Sequence, residues 1–346
     1  MENKYKKQVV WWLFSGCFLV FAMVVIGGIT RLTRSGLSIT EWNPLMGAIP
    51  PLNGADWQAA FAKYQLSPEF QKINFDMKID EFKFIFWWEF MHRLVGRLIG
   101  VVFIIPFVYF YFKKALDKKL TYKLLGVFAL GGLQGFIGWY MVASGLVDNP
   151  HVSHYRLATH LITAFITFGY IFWLALDILY PRTENLKAND NSRLLAKLIL
   201  PLVMIQIVYG AFVAGLKAGL IYNTFPKMGD TWVPDAVTAM KPMLSNFFEN
   251  MAGVQFVHRY IAWGLTILIA LAWFGMKEQK LTERQHKSTN YLGAMVLLQF
   301  TLGVLTLLFA VPIWLGAIHQ IGAFFLFAAA IFFYHQTRYS KIIPQS

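Results

Sequence analysis

Long apolar stretches alternate with short polar ones along almost the whole chain. A bilayer-spanning helix needs about 20 apolar residues. On that measure the pattern predicts eight spans, at Val9–Ile29, Phe84–Phe112, Leu120–Ala143, Ser153–Leu179, Leu194–Ala214, Asn250–Met276, Asn290–Val311 and Ile313–His335. Only Pro312 separates the last two, so seven spans is the alternative count. The polar connections are of two kinds. Lys4, Lys6 and Lys7 precede the first span, and Lys113, Lys114, Lys118, Lys119 and Lys123 join the second to the third. Arg182, Lys187, Arg193 and Lys197 join the fourth to the fifth, and Lys277, Lys280, Arg284 and Lys287 the sixth to the seventh. These segments are short and basic. The opposite connections are neutral, or longer and mixed in charge (Arg31–Lys83, Lys217–Glu249). The positive-inside bias therefore predicts cytoplasmic termini.

Composition agrees with a membrane protein surrounded by lipid: 57% of the 346 residues are hydrophobic and 14% charged. The net charge of +13 lies in the short connections, and no basic stretch interleaves with aromatics in a polar segment, so no nucleic acid is expected. The single cysteine, Cys17, lies in the first span, which excludes an intrachain disulfide and CxxC-type metal sites. The first apolar run is too long for a signal-peptide core and reads as an uncleaved helix. No Arg/Ser-rich presequence precedes it, which points to the bacterial plasma membrane.

The two halves repeat. Glu89-Phe90-Met91-His92-Arg93 matches Gln255-Phe256-Val257-His258-Arg259, and Leu133-Gln134 with Gly138 matches Leu298-Gln299 with Gly303. Arg34-Ser35-Gly36-Leu37 matches Lys217-Ala218-Gly219-Leu220, and Pro44-Leu45-Met46-Gly47 matches Pro226-Lys227-Met228-Gly229. Four spans per half give both halves the same topology, related by an axis along the membrane normal. The predicted fold is all-α and integral to the membrane: two pseudo-symmetric four-helix bundles, residues 1–180 and 181–346.

Four of the eight histidines, His92, His160, His258 and His319, fall in the even-numbered spans. Each follows its span's start by about six to nine residues, or ~9–14 Å at the helical rise. Two imidazoles per half at one level suit a flat macrocycle gripped from both faces, and imidazole is a standard axial ligand of haem iron. Zinc fits less well, because no carboxylate or thiolate recurs as a further ligand. His151, His154, His286 and His335 are expected to be solvated or interfacial. Arginine in a span needs a partner, and haem propionates would supply one for Arg93, Arg97 and Arg259, and at the outer boundary for Arg31, Arg34, Arg156 and Lys217. Snorkelling to headgroups is the alternative. Glu89 stands one turn before His92 where the other half has Gln255. That difference suggests one reactive site and one electron-transfer or structural site; an i, i+4 pair with Arg93 is the plainer reading, and the two are compatible.

Gly27 to Ser38 with Glu41-Trp42 and Pro44 to Gly47 resembles the first outer loop of haem A synthases. Glu89 to Arg93 with Gly96-Arg97, and Arg156-Leu157-Ala158-Thr159-His160, are similar to that family's second and fourth helices. The resemblance runs over essentially the whole chain. It implies oxidation of a porphyrin methyl of haem O to a formyl group, giving haem A for terminal oxidases, with Glu89 as the catalytic carboxylate and water as oxygen source. Substrate haem O would lie in the N-terminal half between His92 and His160, and a haem b in the C-terminal half between His258 and His319. An electron acceptor of unknown identity and the haem O-forming farnesyltransferase are the implied partners; a homo-oligomer is compatible with the sequence. Some members carry paired cysteines in the first outer loop; this chain resembles the cysteine-free subgroup also found in mitochondria. The rival reading is a di-haem b-type cytochrome that only carries electrons. An inverted-repeat transporter is disfavoured by the parallel repeat and the lack of broken helices.

Overall fold

A computed structural model describes residues 3–41, 46–147, 150–180, 190–277, 279 and 281–337. Trp42, Pro44 and Leu45 of the loop motif, and Arg182, Lys187 and Lys280 of the basic connections, lie outside the described residues. Among the described residues the chain is helical, without named strands. Eight α-helices are long and apolar enough to cross a membrane: α1 (Lys6–Leu32), α4 (Ile79–Phe112), α5 (Lys118–Ala143), α6 (His154–Leu179), α7 (Asp190–Gly215), α8 (Met251–Lys277), α9 (Glu283–Leu308) and α10 (Ile313–Thr337). Two shorter helices, α2 (Gly54–Gln65) and α3 (Pro68–Lys72), stand in the first long connection.

The alternative of seven spans is removed by a real break between α9 and α10. Ala310 and Val311 both take left-handed backbone, φ 55° and 57°, ahead of Pro312. A β-branched residue is costly there, so the turn needs outside support. Asn223 supplies it, donating Nδ2 to Leu307 O and Gly219 O, each at 2.8 Å.

The chain forms two compact units, Met1–Phe168 and Gly169–Ser346, which divide inside α6. In the first, α1 packs on α4 and α4 on α5. Pro106 within α4 has no N–H to offer the carbonyl four residues earlier. The Trp12 indole N–H of α1 donates to that carbonyl, Val102 O, at 3.0 Å, which repairs the gap and ties the two helices. The connection between α1 and α4 folds because its caps are in place: Asn53 accepts from Asp56 N at 2.9 Å, and Ser67 precedes Pro68 at the first position of α3. Trp57, Phe61, Tyr64 and Phe70 then pack on Phe82, Phe86 and Phe90 of α4, so that α4 begins more than a turn before its apolar run. In the second unit α7 packs on α8, α8 on α9, α9 on α10 and α10 on α7, a closed four-helix arrangement.

Candidate functional site

Each of the four intramembrane histidines is seated against a glycine of the preceding membrane helix. A Cβ on Gly27 of α1 would stand 2.9 Å from Cε1 of His92 in α4, and one on Gly138 of α5 2.9 Å from Cε1 of His160 in α6. The second unit repeats this at Gly210 of α7 with His258 of α8, 3.4 Å, and at Gly303 of α9 with His319 of α10, 3.0 Å. Only a residue without a side chain lets a ring lie that close to a helix backbone. Three seats carry a further hold. Gln134 Nε2 donates to His160 O at 2.9 Å, Gln206 Nε2 to His258 O at 3.0 Å, and Gln299 Nε2 to His319 O at 3.0 Å. Each amide also lies 3.1–3.4 Å from a nitrogen of its ring. The residues point to what the seats would hold. All four rings are half-buried, Nδ1 of His92 and of His258 is buried without a hydrogen-bond partner, and within each pair the two rings lie in electrostatic range. Among the described residues no three His, Cys, Asp or Glu side chains converge as a metal site. The donor set therefore fits a group that brings most of its own ligands and asks the protein for two imidazoles, as haem does.

The same stretch of α4 and of α8 clamps the long connection that precedes each helix. Arg93 donates to Ile39 O (2.8 Å) and Glu41 O (2.9 Å). Arg259 donates to Tyr222 O (2.7 Å) and Thr224 O (2.9 Å), the corresponding positions of the repeat, and also to Lys227 O (3.1 Å). Both loops leave their helix through a left-handed basic residue, Arg34 (φ 54°) and Lys217 (φ 56°).

Glu89 is buried, 3% exposed. Its Oε1 pairs with Arg93 at 2.5 Å, and its Oε2 accepts from Ser38 Oγ and Ile39 N, each at 2.8 Å. Gln255 instead donates Nε2 to Tyr222 O at 3.1 Å. The acid thus meets donors and the amide meets an acceptor. Of the other arginines expected near propionates, Arg156 donates to Tyr140 O at 2.8 Å and lies 3.7 Å over that ring. Arg97 follows Arg93 by one turn of α4, Arg31 lies in the last turn of α1, and Arg34 is exposed in the turn after it. Glu69 of α3 is buried beneath the aromatic cluster and accepts from Tyr64 Oη at 3.2 Å. Burial pushes its carboxyl up to about 7, the Glu89 charge adds to this, and the Tyr64 hydroxyl and Arg34 oppose it.

His151 and His286 are exposed, as expected. His335 is a correction. It is not solvated but 3% exposed, with Nε2 at 3.2 Å from Asp177 Oδ1 of α6 and its ring edge-on to Trp173. Its place near the end of an apolar run suggested water, whereas α6 supplies an acid at that level.

The glutamine holds were missed in sequence. Their signal was available: Gln and Gly four apart recur at Gln134/Gly138, Gln206/Gly210 and Gln299/Gly303, each on the helix before a histidine helix.

Comparison with known proteins gives the family. The COX15-CtaA model, described as "Cytochrome oxidase assembly protein", matches residues 10–331. A protein named "Heme A synthase" from Nitrosospira multiformis is 50% identical, with 96% of this chain and 94% of that one covered. One of the same name from Flavobacterium johnsoniae is 49% identical over 96% and 99%. "Heme A synthase COX15" of Arabidopsis thaliana is 44% identical over 96% of this chain and 75% of its own. With its eight membrane-length helices and its four seated histidines, the chain belongs to the haem A synthase family, the cytochrome oxidase assembly proteins of the COX15-CtaA model.

Proposed function

We propose that this chain oxidises a methyl group of haem O to the formyl group of haem A. The observation that carries the reading is the buried carboxylate of Glu89 on the histidine helix of one half only, with the amide of Gln255 in its place in the other. His92 and His160 would hold the substrate, and His258 and His319 a resident haem b, which when bound supplies a one-electron relay. The halves correspond to residues 1–180 and 181–346. Both termini face the cytoplasm, which puts the clamped loops and the Glu89 end of α4 on the outer side.

In each oxidation the methyl carbon loses an electron pair and a proton, water adds its oxygen and releases a second proton, and the electrons pass to an acceptor outside the chain. A repeat gives a geminal diol, and loss of water leaves the aldehyde. Glu89 is suited to oppose positive charge developing at the carbon and to take up a proton there. A carboxylate offers about four acceptor positions; Arg93, Ser38 and Ile39 hold the group in place and leave room for one more partner. Arg93 and Arg259 each donate to two or more loop carbonyls, so we assign positioning of the loops to them beside any propionate contact, and assign further propionate contacts to Arg97, Arg31, Arg34 and Arg156.

Co-expression with a source of haem O, then extraction and chromatography of the haems, tests the reading. Formyl-bearing haem is expected from the parent chain. Glu89→Ala and Glu89→Gln are expected to keep the haem spectrum and give no haem A; an undiminished yield from either would remove Glu89 from the chemistry. One observation favours the electron-carrier reading: the Glu/Gln difference also matches the donors and acceptors each loop presents. Recovery of only haem b and unreacted haem O from the parent chain would decide for it.

A further inference from the structure

The four histidine seats are built alike except at one position. One turn before the glycine under each ring stands Gln134 for His160, Gln206 for His258 and Gln299 for His319, but Met23 for His92. The three amides each grip the carbonyl of their histidine and lie beside its ring. Their Oε1 atoms are buried without partners. An imidazole that binds a metal through one nitrogen carries its proton on the other, and that N–H needs an acceptor to fix the ring and keep it basic. Each amide nitrogen ties the histidine helix at the carbonyl, and the unpartnered oxygen of the same group is the acceptor the side chain has to spare for such an N–H.

His92 has no such neighbour. Its ring makes no hydrogen bond among the described residues; its buried Nδ1 is unpartnered, as is that of His258, but no amide holds the carbonyl of His92. Met23 reaches past it to Gly96, one turn along α4, where its methyl lies 3.6 Å from a Cβ position. A thioether is a weak acceptor.

We propose that Met23 makes His92 the yielding ligand of the chain, the one imidazole that detaches to let the haem of the N-terminal half enter and leave. The proposal rests on the assignment of the substrate to that half. A substrate must exchange at every turnover while a resident group need not, and the one unheld ring lies on the helix that carries Glu89. Detachment breaks one iron–nitrogen bond and leaves the electron pair on the imidazole, so no electron or proton has to be supplied. Met23 and the three glutamines are positioning residues.

The test is haem transfer from the full-length, haem-loaded chain in detergent to excess apomyoglobin, followed by absorbance. Two phases are expected from the parent chain. Met23→Gln is expected to slow the fast phase by at least ~10-fold, the scale of hydrogen-bonding partners behind metal ligands, and to raise the low-spin share of the spectrum. Met23→Leu, which fills the space without an amide, keeps the fast phase. Gln299→Met makes the slow phase faster. A fast phase untouched by Met23→Gln, or slowed as much by Met23→Leu, overturns the proposal, as does a slow phase indifferent to Gln299→Met. Chromatography of the same preparations reads the reaction separately, so absence of formyl haem sinks the synthase reading without altering what the phases say about the ligands.

Discussion

At Glu89 and Gln255 a single atom type decides which loop group can be met. The carboxylate accepts from Ile39 N and Ser38 Oγ, and the amide donates to Tyr222 O; exchanging them would set acceptor against acceptor or donor against donor. The histidines and Glu89 were legible in the sequence because ionisable groups in apolar runs are costly and therefore conspicuous. The glycine seats were not, because a glycine in a membrane helix is common and its meaning lies in what faces it. They are testable in a graded way. A Cβ at Gly303 would stand 3.0 Å from the His319 ring, but one at Gly210 3.4 Å from His258. Gly303→Ala is expected to lower the haem-to-protein ratio by about half through loss of one ligand, and Gly210→Ala to leave it within a few tenths of the parent, both measured as pyridine haemochrome. Equal loss from the two would show that ring clearance is not what these glycines provide.

Among the elements, the membrane helices were readable because length and apolarity are sufficient signals, and their observed ends differ from the expected ones by five residues or fewer except at the start of α9, which begins at Glu283 rather than Asn290. The helices α2 and α3 were not read, since neither is long or strongly apolar; their caps at Asn53 and Ser67 were the available sign. The long N-terminal extension of α4 was missed for the same reason: its first turns face the aromatic cluster of the loop rather than lipid. Glu69 gives that connection a pH dependence. Its carboxyl rises from 4.5 to about 7 on folding, so between those values the folded segment binds a proton that the unfolded one does not. Stability is full below the lower value and falls as pH rises through the upper one. Limited proteolysis of residues 46–78, normalised to a denatured control, is expected to be faster at about pH 8 than at about pH 5, and Glu69→Gln to flatten the difference. A parent profile already flat would remove Glu69 from the docking of α3.

For the whole molecule, the internal repeat was the most informative feature of the sequence. It returns in the structure as matched loop clamps, matched left-handed exits and four like seats. The basic connections predict the orientation. A fluorescent protein fused after residue 337 is expected to fluoresce, and alkaline phosphatase inserted in the connection between α7 and α8 to be active; the reverse pair of results would invert the topology. The seats also bear on biogenesis. Under the proposed assignment the rings on α4 and α6 close on one macrocycle, yet α5 must leave the ribosome between them. A nascent chain holding only its first three spans offers one imidazole and no opposing partner. Pigment acquisition in each half is therefore a late event, completed after the fourth helix has entered the bilayer, and insertion intermediates should be colourless.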